Sequence, residues 1–130
     1  MNRSYSRDVQ VLGHILKNQM NIRDAVKRLG CDFSQVSSKS ILNDKLAFDA
    51  CSMYMAQIGE HIKLLTDYSK EELNKFIDIQ TLRYFRNMID HSYEKVNKLY
   101  LMPYIQIMQS DKTMQQVKQI IQECNKRKNS

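Results

Sequence analysis

The chain has 130 residues, a length typical of one domain, with 26% charged residues, 1 Pro and 3 Gly. So little Pro and Gly excludes a turn-rich sandwich or barrel and favours long helices with short connections. The formal net charge of +6 favours polyanionic partners such as nucleic acid, or an acidic protein, although the basic residues are spread along the chain.

The cysteines and the apolar segments predict a reducing compartment. Cys31, Cys51 and Cys124 are odd in number and widely spaced, and no two of them form a CxxC unit. This pattern indicates neither a zinc site nor a disulfide framework and favours free buried thiols. No apolar run approaches the length of a membrane span, and residues 1–7 lack an apolar signal core. We therefore expect a soluble cytoplasmic protein without a metal or a cofactor.

The first half of the chain predicts two long helices. The first begins with Ser6 as its N-cap and Asp8 in its first turn, and it stops near Gly30. Its apolar residues recur at helical spacing: Val11, Ile15, Ile22, Val26 and Leu29. The second begins near Ser40 and carries one apolar seam: Ile41, Phe48, Cys51, Met55, Ile58, Ile62 and Leu65. Gly59 lies inside it at a propensity penalty of about 1 kcal/mol, which a close helix crossing would offset.

The second half predicts shorter helices. Residues 69–72 match a capping box and should start a short helix, and another helix runs from about Ile79 to His91. Its apolar residues face inward: Leu82, Phe85 and Ile89. Pro103 either kinks the following helix or marks the first turn of a separate one. Ser110 or Asp111 caps a last helix, whose apolar residues are Met114, Val117, Ile120 and Ile121.

No stretch alternates as a strand does, so the sequence predicts an all-α fold. We expect a single domain over residues 1–130, an antiparallel bundle of four or five helices around one core. The basic run Lys126–Lys128 is expected to belong to a frayed, solvated tail that starts at about residue 125.

Five polar residues share one face of the helix that ends near His91, opposite Phe85: Arg83, Arg86, Asn87, Asp90 and His91. Cleavage of RNA without a metal needs a base, an acid and a cation that stabilises the phosphorane. Histidine suits the proton transfers and arginine the phosphate. Asn87 lies one turn before His91 and could orient its ring, and we expect Asp90 to support the site and Arg83 to contact RNA.

One chain offers only one such histidine, whereas a symmetric homodimer would bring two histidines and two arginines together. The alternative is that the polar stripe is an ordinary solvent face, with Arg86 and Asp90 as a surface ion pair at i, i+4. From spacing alone, that simpler interpretation is favoured.

A resemblance to a known family favours the catalytic interpretation. Arg86, followed after four residues by His91-Ser92-Tyr93, resembles the R-x4-H-x-Y signature of HepT-like toxins, a branch of the HEPN superfamily. Asn87 after the arginine fits this branch. Three further pairs or triplets resemble the family's patterns in the same order: Arg7-Asp8, Ile58-Gly59-Glu60 and Val96-Asn97. The resemblance covers nearly the whole chain.

The resemblance implies a homodimeric, metal-independent endoribonuclease that acts as a toxin on RNA and not on DNA or membranes. Arg86 would be the phosphate-contacting residue and His91 the catalytic histidine. The partner would be a minimal nucleotidyltransferase antitoxin, which transfers AMP from ATP onto Tyr93. AMP on Tyr93 would neutralise Arg86 and block RNA from the cleft.

Two other interpretations stay open. The chain could be the non-catalytic substrate- or nucleotide-binding subunit of a two-component nucleotidyltransferase, or a purely structural helical dimer. Among other residues, His14 and His61 are expected to be structural or surface histidines that form no metal-binding pair by spacing. Glu60 is expected to have a packing or hydrogen-bonding role near the cleft and not a catalytic one.

Overall fold

The computed structural model describes residues 3–28, 45–91 and 98–129, and every regular element in these ranges is a helix. The six helices are α1 Arg3–Lys27, α2 Lys45–Ile62, α3 Asp67–Asn74, α4 Ile79–His91, α5 Lys98–Met108 and α6 Asp111–Lys128. The predicted all-α class is confirmed. The described ranges hold six helices, where the predicted bundle had four or five.

Helix α1 packs between α2 and α6 and supplies the centre of the core. Its predicted inward residues Val11, Ile15, Ile22 and Val26 are buried, whereas Leu29 lies outside the described residues. At the end of α1, Arg23 Nη2 lies 2.6 Å from Asp111 Oδ1 at the start of α6. At its beginning, the hydroxyl of Tyr5 accepts a hydrogen bond from Arg127 Nη1 near the end of α6, at 3.3 Å. These contacts make α1 and α6 antiparallel, as predicted.

The start of α1 differs from the prediction because Asp8 has partners elsewhere in the fold. The helix already includes Arg3, so Ser6 is not its N-cap and Asp8 is not in its first turn. Asp8 is fully buried, and its carboxylate accepts hydrogen bonds from the hydroxyls of Thr66 and Ser69, each at 2.6 Å. It also accepts one from the backbone N–H of Thr66 at 3.0 Å. Asp8 therefore connects α1 to the start of α3.

The same contacts correct the predicted start of α3. Thr66 is the N-cap and accepts a hydrogen bond from the backbone N–H of Ser69, so the helix begins at Asp67 and not with a capping box at residue 69. Ser69 lies within the first turn, where its hydroxyl donates to Asp8. The sequence has the spacing of a capping box, but the hydroxyl of Ser69 donates a hydrogen bond to Asp8 of α1 and does not cap α3.

Helix α2 carries the predicted apolar seam. Five of the seven predicted residues are buried within the described helix: Phe48, Cys51, Met55, Ile58 and Ile62. Leu65 is buried too, but it lies beyond the end of α2. The predicted start at Ser40, Ile41 and the stop at Gly30 lie outside the described residues.

The predicted close helix crossing at Gly59 is confirmed. A Cβ atom placed on Gly59 would lie 3.4 Å from Leu82 Cβ of α4, which is the lower limit of ordinary contact. Leu82 and Phe85 are buried, as predicted, so α4 packs its apolar face against α2. The side chain of Ile89 lies outside the described residues.

The last two helices settle three predictions. Pro103 lies inside α5 beyond its first turn, so it does not begin a separate helix. Ser110 is the N-cap of α6 and accepts a hydrogen bond from Thr113 N at 3.2 Å. Helix α6 continues to Lys128 where a frayed tail was predicted, and Arg127 Cζ lies 3.7 Å from the centroid of the Tyr68 ring. Arg127 thus connects this basic turn to Tyr68 of α3 and Tyr5 of α1.

The two helical glycines should differ in how much a β-branched side chain changes the free energy of unfolding. Gly59→Val should lower the free energy of unfolding by about 1–3 kcal/mol, because valine is nearly fixed at χ1 in a helix and its methyls would separate α2 from α4. The matched change Gly13→Val should stay within about 0.5 kcal/mol of the wild type. No atom lies within 4 Å of a Cβ placed on Gly13. Urea unfolding measures both, and equal values would mean that α2 and α4 are not in contact at Gly59.

Candidate functional site

A cleft of about 680 Å³ lies between α2, α3 and α4. Its apolar lining comes from the residues around the close crossing of α2 and α4: Ala56, Gly59, Ile62, Ile79 and Leu82. Its polar lining consists of Glu60, Lys63, Lys70, Arg83, Arg86 and Asn87. The lining thus carries four basic side chains and one carboxylate, an excess of positive charge that suits an anionic ligand.

Three of the sequence-predicted site residues meet in this cleft. Arg83, Arg86 and Asn87 lie on the exposed face of α4, opposite the buried Phe85, as the helical spacing predicts. Asp90 and His91 are the last two residues of α4, one turn further along, and their side chains lie outside the described residues. Tyr93 also lies outside them. The structure therefore brings together the predicted phosphate-contacting group and its neighbours on α4.

Arg86 forms an ion pair across the cleft with Glu60 of α2, between Nη1 and Oε1. This pairing connects two helices, and the side chain of Asp90, the predicted local partner of Arg86, lies outside the described residues. The side chains of Arg86 and Glu60 are 46% and 50% exposed, so water screens the attraction while both groups stay accessible. The expectation that Glu60 forms a hydrogen bond or packs near the cleft is confirmed.

Lys63 binds the same carboxylate oxygen. Its Nζ lies 3.2 Å from Glu60 Oε1, the atom that Arg86 also contacts. The hydrogen bond from Lys63 and the positive charge of Arg86 together outweigh desolvation and lower the pKa of Glu60 below its ordinary value. Glu60 is therefore ionised at neutral pH, between two cations.

Sequence reasoning did not identify two basic residues of the cleft. Lys63 follows Glu60 at i, i+3, and this spacing predicts a local ion pair between the two residues. It does not predict that Lys63 lines a cleft. Lys70 lies on α3, and it lines the cleft together with residues of α2 and α4. Only the tertiary structure could have identified Lys70.

The two histidines outside the motif also lie together, although their spacing in sequence gave no sign of it. The rings of His14 on α1 and His61 on α2 stack with centroids 5.4 Å apart and planes 13° apart. Burial and the nearby His14 lower the pKa of His61. Because its pKa is lowered, the imidazole of His61 favours the neutral form at neutral pH.

The two cysteines among the described residues are buried thiols. Cys51 and Cys124 are free and buried, as predicted, and Cys31 lies outside the described residues. Burial raises the pKa of the Cys51 thiol to about 12, so it is protonated at neutral pH. Within residues 3–28, 45–91 and 98–129, no three His, Cys, Asp or Glu side chains are grouped so as to hold a metal ion. In the same ranges, every helix is too short or too polar to cross a bilayer.

Comparisons with known proteins do not assign the chain to a family. No family model, curated protein or solved structure matches it significantly. Function is therefore inferred from the residues of the cleft and from the sequence motif of residues 86–93.

The pKa of Glu60 tests the geometry of the cleft directly. A carbon-detected NMR titration should place the midpoint of the Glu60 carboxyl below the ordinary glutamate range, because Lys63 and Arg86 stabilise its ionised form. Lys63→Gln should raise that midpoint, whereas Lys75→Gln, which removes the partner of Glu72, should leave it unchanged.

The sign of the stability effect follows from the same shift. Because the pKa of Glu60 is lower in the folded protein, its stabilising contribution is fully present above the unfolded-state pKa. It is lost as the pH falls through the folded-state value. A Glu60 midpoint equal to that of an unpaired glutamate would contradict the three-residue contact.

Proposed function

We propose that this chain is a HEPN-type, metal-independent endoribonuclease that acts as a homodimeric toxin in the cytoplasm. The observation that carries the proposal is the position of Arg86 in a basic cleft, on the helix whose last residue is His91. A guanidinium group binds two oxygens of a phosphate through its planar fork. An imidazole transfers protons efficiently near pH 7. The R-x4-H-x-Y resemblance adds independent support from the sequence.

The proposed reaction is an attack by a ribose hydroxyl on the neighbouring phosphate. A base removes the proton of the 2′-hydroxyl, and the 2′ oxygen forms a bond to phosphorus. The bond from phosphorus to the 5′ oxygen breaks, and an acid protonates that leaving oxygen. Arg86 stabilises the negative charge on the phosphorane, and Asn87 orients the ring of His91. The two proton transfers are assigned to His91 of each subunit in a homodimer.

The proposed regulation is a covalent block at Tyr93. A minimal nucleotidyltransferase antitoxin transfers AMP from ATP to the phenolic oxygen of Tyr93, and pyrophosphate leaves. The AMP phosphate lies two residues from His91 in sequence, where it neutralises Arg86 and where its adenosine excludes RNA. Support for this step comes from the resemblance of residues 86–93 to the family's motif.

The size of the cleft favours one alternative, a nucleotide-binding subunit of a two-component nucleotidyltransferase. A volume of about 680 Å³ is within the range of small-molecule sites, and the basic lining suits a nucleotide phosphate. That function would use Arg86 and Arg83 for binding and would leave RNA intact. The two candidates therefore differ in whether His91 performs chemistry.

Induced expression of the wild type in a host without an antitoxin should arrest growth and produce new RNA fragments. His91→Ala should abolish both, because removal of a general acid or base reduces a rate by about 100-fold or more. Growth curves and total RNA profiles measure the two effects, and circular dichroism of the purified proteins checks that both are folded.

His14→Ala is the matched control, since it removes a histidine that lies on α1 and does not line the cleft. It should behave as the wild type. Undiminished RNA cleavage by His91→Ala would remove His91 from the mechanism. Intact RNA with soluble wild-type protein would favour the nucleotide-binding alternative.

A further inference from the structure

Lys63 and Arg86 converge on a single atom, although they belong to different parts of the chain. Lys63 directly follows α2 and Arg86 lies on α4, yet both cationic groups contact Oε1 of Glu60. The close crossing at Gly59 and Leu82 brings these two segments together. The spacing of the two cations is therefore a property of the tertiary structure.

Both cations stay accessible to a ligand. The side chains of Lys63 and Arg86 are 61% and 46% exposed, and both residues line the cleft. The atom between them is an oxygen of an ionised carboxylate, which accepts hydrogen bonds. A non-bridging phosphate oxygen is likewise a negatively charged hydrogen-bond acceptor. An ammonium and a guanidinium arranged around a carboxylate oxygen are thus also arranged for a phosphate oxygen.

We propose that Lys63 is a second phosphate-binding residue of the cleft, paired with Arg86, and that Glu60 is the internal anion that a backbone phosphate of single-stranded RNA replaces. The choice of RNA as the ligand rests on the proposed function, whereas the pairing rests on the shared contact at Glu60 Oε1. Lys63 belongs neither to the R-x4-H-x-Y motif nor to α4.

Glu60 opposes RNA binding in two ways. It occupies both cations, and its negative charge repels the incoming phosphate. When RNA binds, the carboxylate must turn away into water, which its 50% exposure permits. Removal of the two charges should therefore have opposite effects: loss of Lys63 weakens RNA binding and loss of Glu60 strengthens it.

The chain contains a matched control pair. Lys75 Nζ lies 2.9 Å from Glu72 Oε1, again at i, i+3, but neither residue lines the cleft. Lys75→Gln and Glu72→Gln therefore change the net charge as Lys63→Gln and Glu60→Gln do, without changing the cleft. A difference in RNA affinity between the two pairs of variants therefore reports the location of the removed charge and not the change in net charge.

The experiment measures binding of a short fluorescein-labelled single-stranded RNA by fluorescence anisotropy over a series of KCl concentrations. All variants carry His91→Ala so that the RNA stays intact, and far-UV circular dichroism confirms that each is folded. Lys63→Gln should weaken binding about tenfold relative to Lys75→Gln, the size expected for one charge-assisted hydrogen bond. It should also lower the salt slope by about 0.7, the value for one phosphate contact on a single strand. Glu60→Gln should bind RNA more tightly than Glu72→Gln.

Equal affinities for Lys63→Gln and Lys75→Gln would overturn the proposal, as would weaker binding by Glu60→Gln than by Glu72→Gln. Absence of RNA binding by every variant would overturn it as well. RNA cleavage by the chain with native His91 is measured separately. If the chain cleaves RNA but Lys63→Gln does not weaken binding, the phosphate-binding role of Lys63 is rejected and the ribonuclease proposal stands. If the Lys63 and Glu60 effects on binding appear without cleavage, the phosphate-binding role stands and the ribonuclease proposal is rejected.

Discussion

The contact between α2 and α4 at Gly59 is the constraint on which the cleft depends. Because Gly59 has no side chain, Leu82 reaches the backbone of α2, and the two helices approach closely. Residues just beyond this contact then face each other across a short gap, with Glu60 on one side and Arg86 on the other. A larger residue at position 59 would move these charges apart, so the packing of two apolar faces sets the electrostatics of the site.

Glu60 reduces the electrostatic repulsion among the basic side chains of the cleft when no ligand is bound. Lys63, Lys70, Arg83 and Arg86 line one cavity, and their mutual repulsion opposes its formation. A single carboxylate between two of them offsets part of that repulsion while the cleft is empty. A phosphodiester remains ionised at pH values where a carboxylate takes up a proton, so acid conditions favour the phosphate over Glu60 in competition for the same cations.

Local patterns in the sequence were sufficient for most helices but not for their contacts. The spacing of apolar residues predicted the buried faces of α1, α2 and α4, and Ser110 was correctly proposed as a cap. The start of α3 was wrong because Ser69 donates to Asp8, far away in sequence, and not to its own helix. Spacing within α4 likewise gave no sign that Arg86 pairs with Glu60 of α2, and the side chain of Asp90 lies outside the described residues. Residue spacing in a single sequence predicts contacts within one helix, but it does not predict contacts between different helices.

In the proposed enzyme, phosphate binding and proton transfer are carried out by different residues. The charged lining residues of the cleft are two lysines, two arginines and one glutamate, and the pKa of that glutamate is lowered. Such a lining can hold and neutralise a phosphate. Histidine is the side chain whose ordinary pKa suits the proton transfers that cleavage requires. In the proposed enzyme the protons therefore belong to His91 at the end of α4, one residue in each subunit. The binding half of the site would then be complete within one chain, and only the chemical half would depend on the dimer.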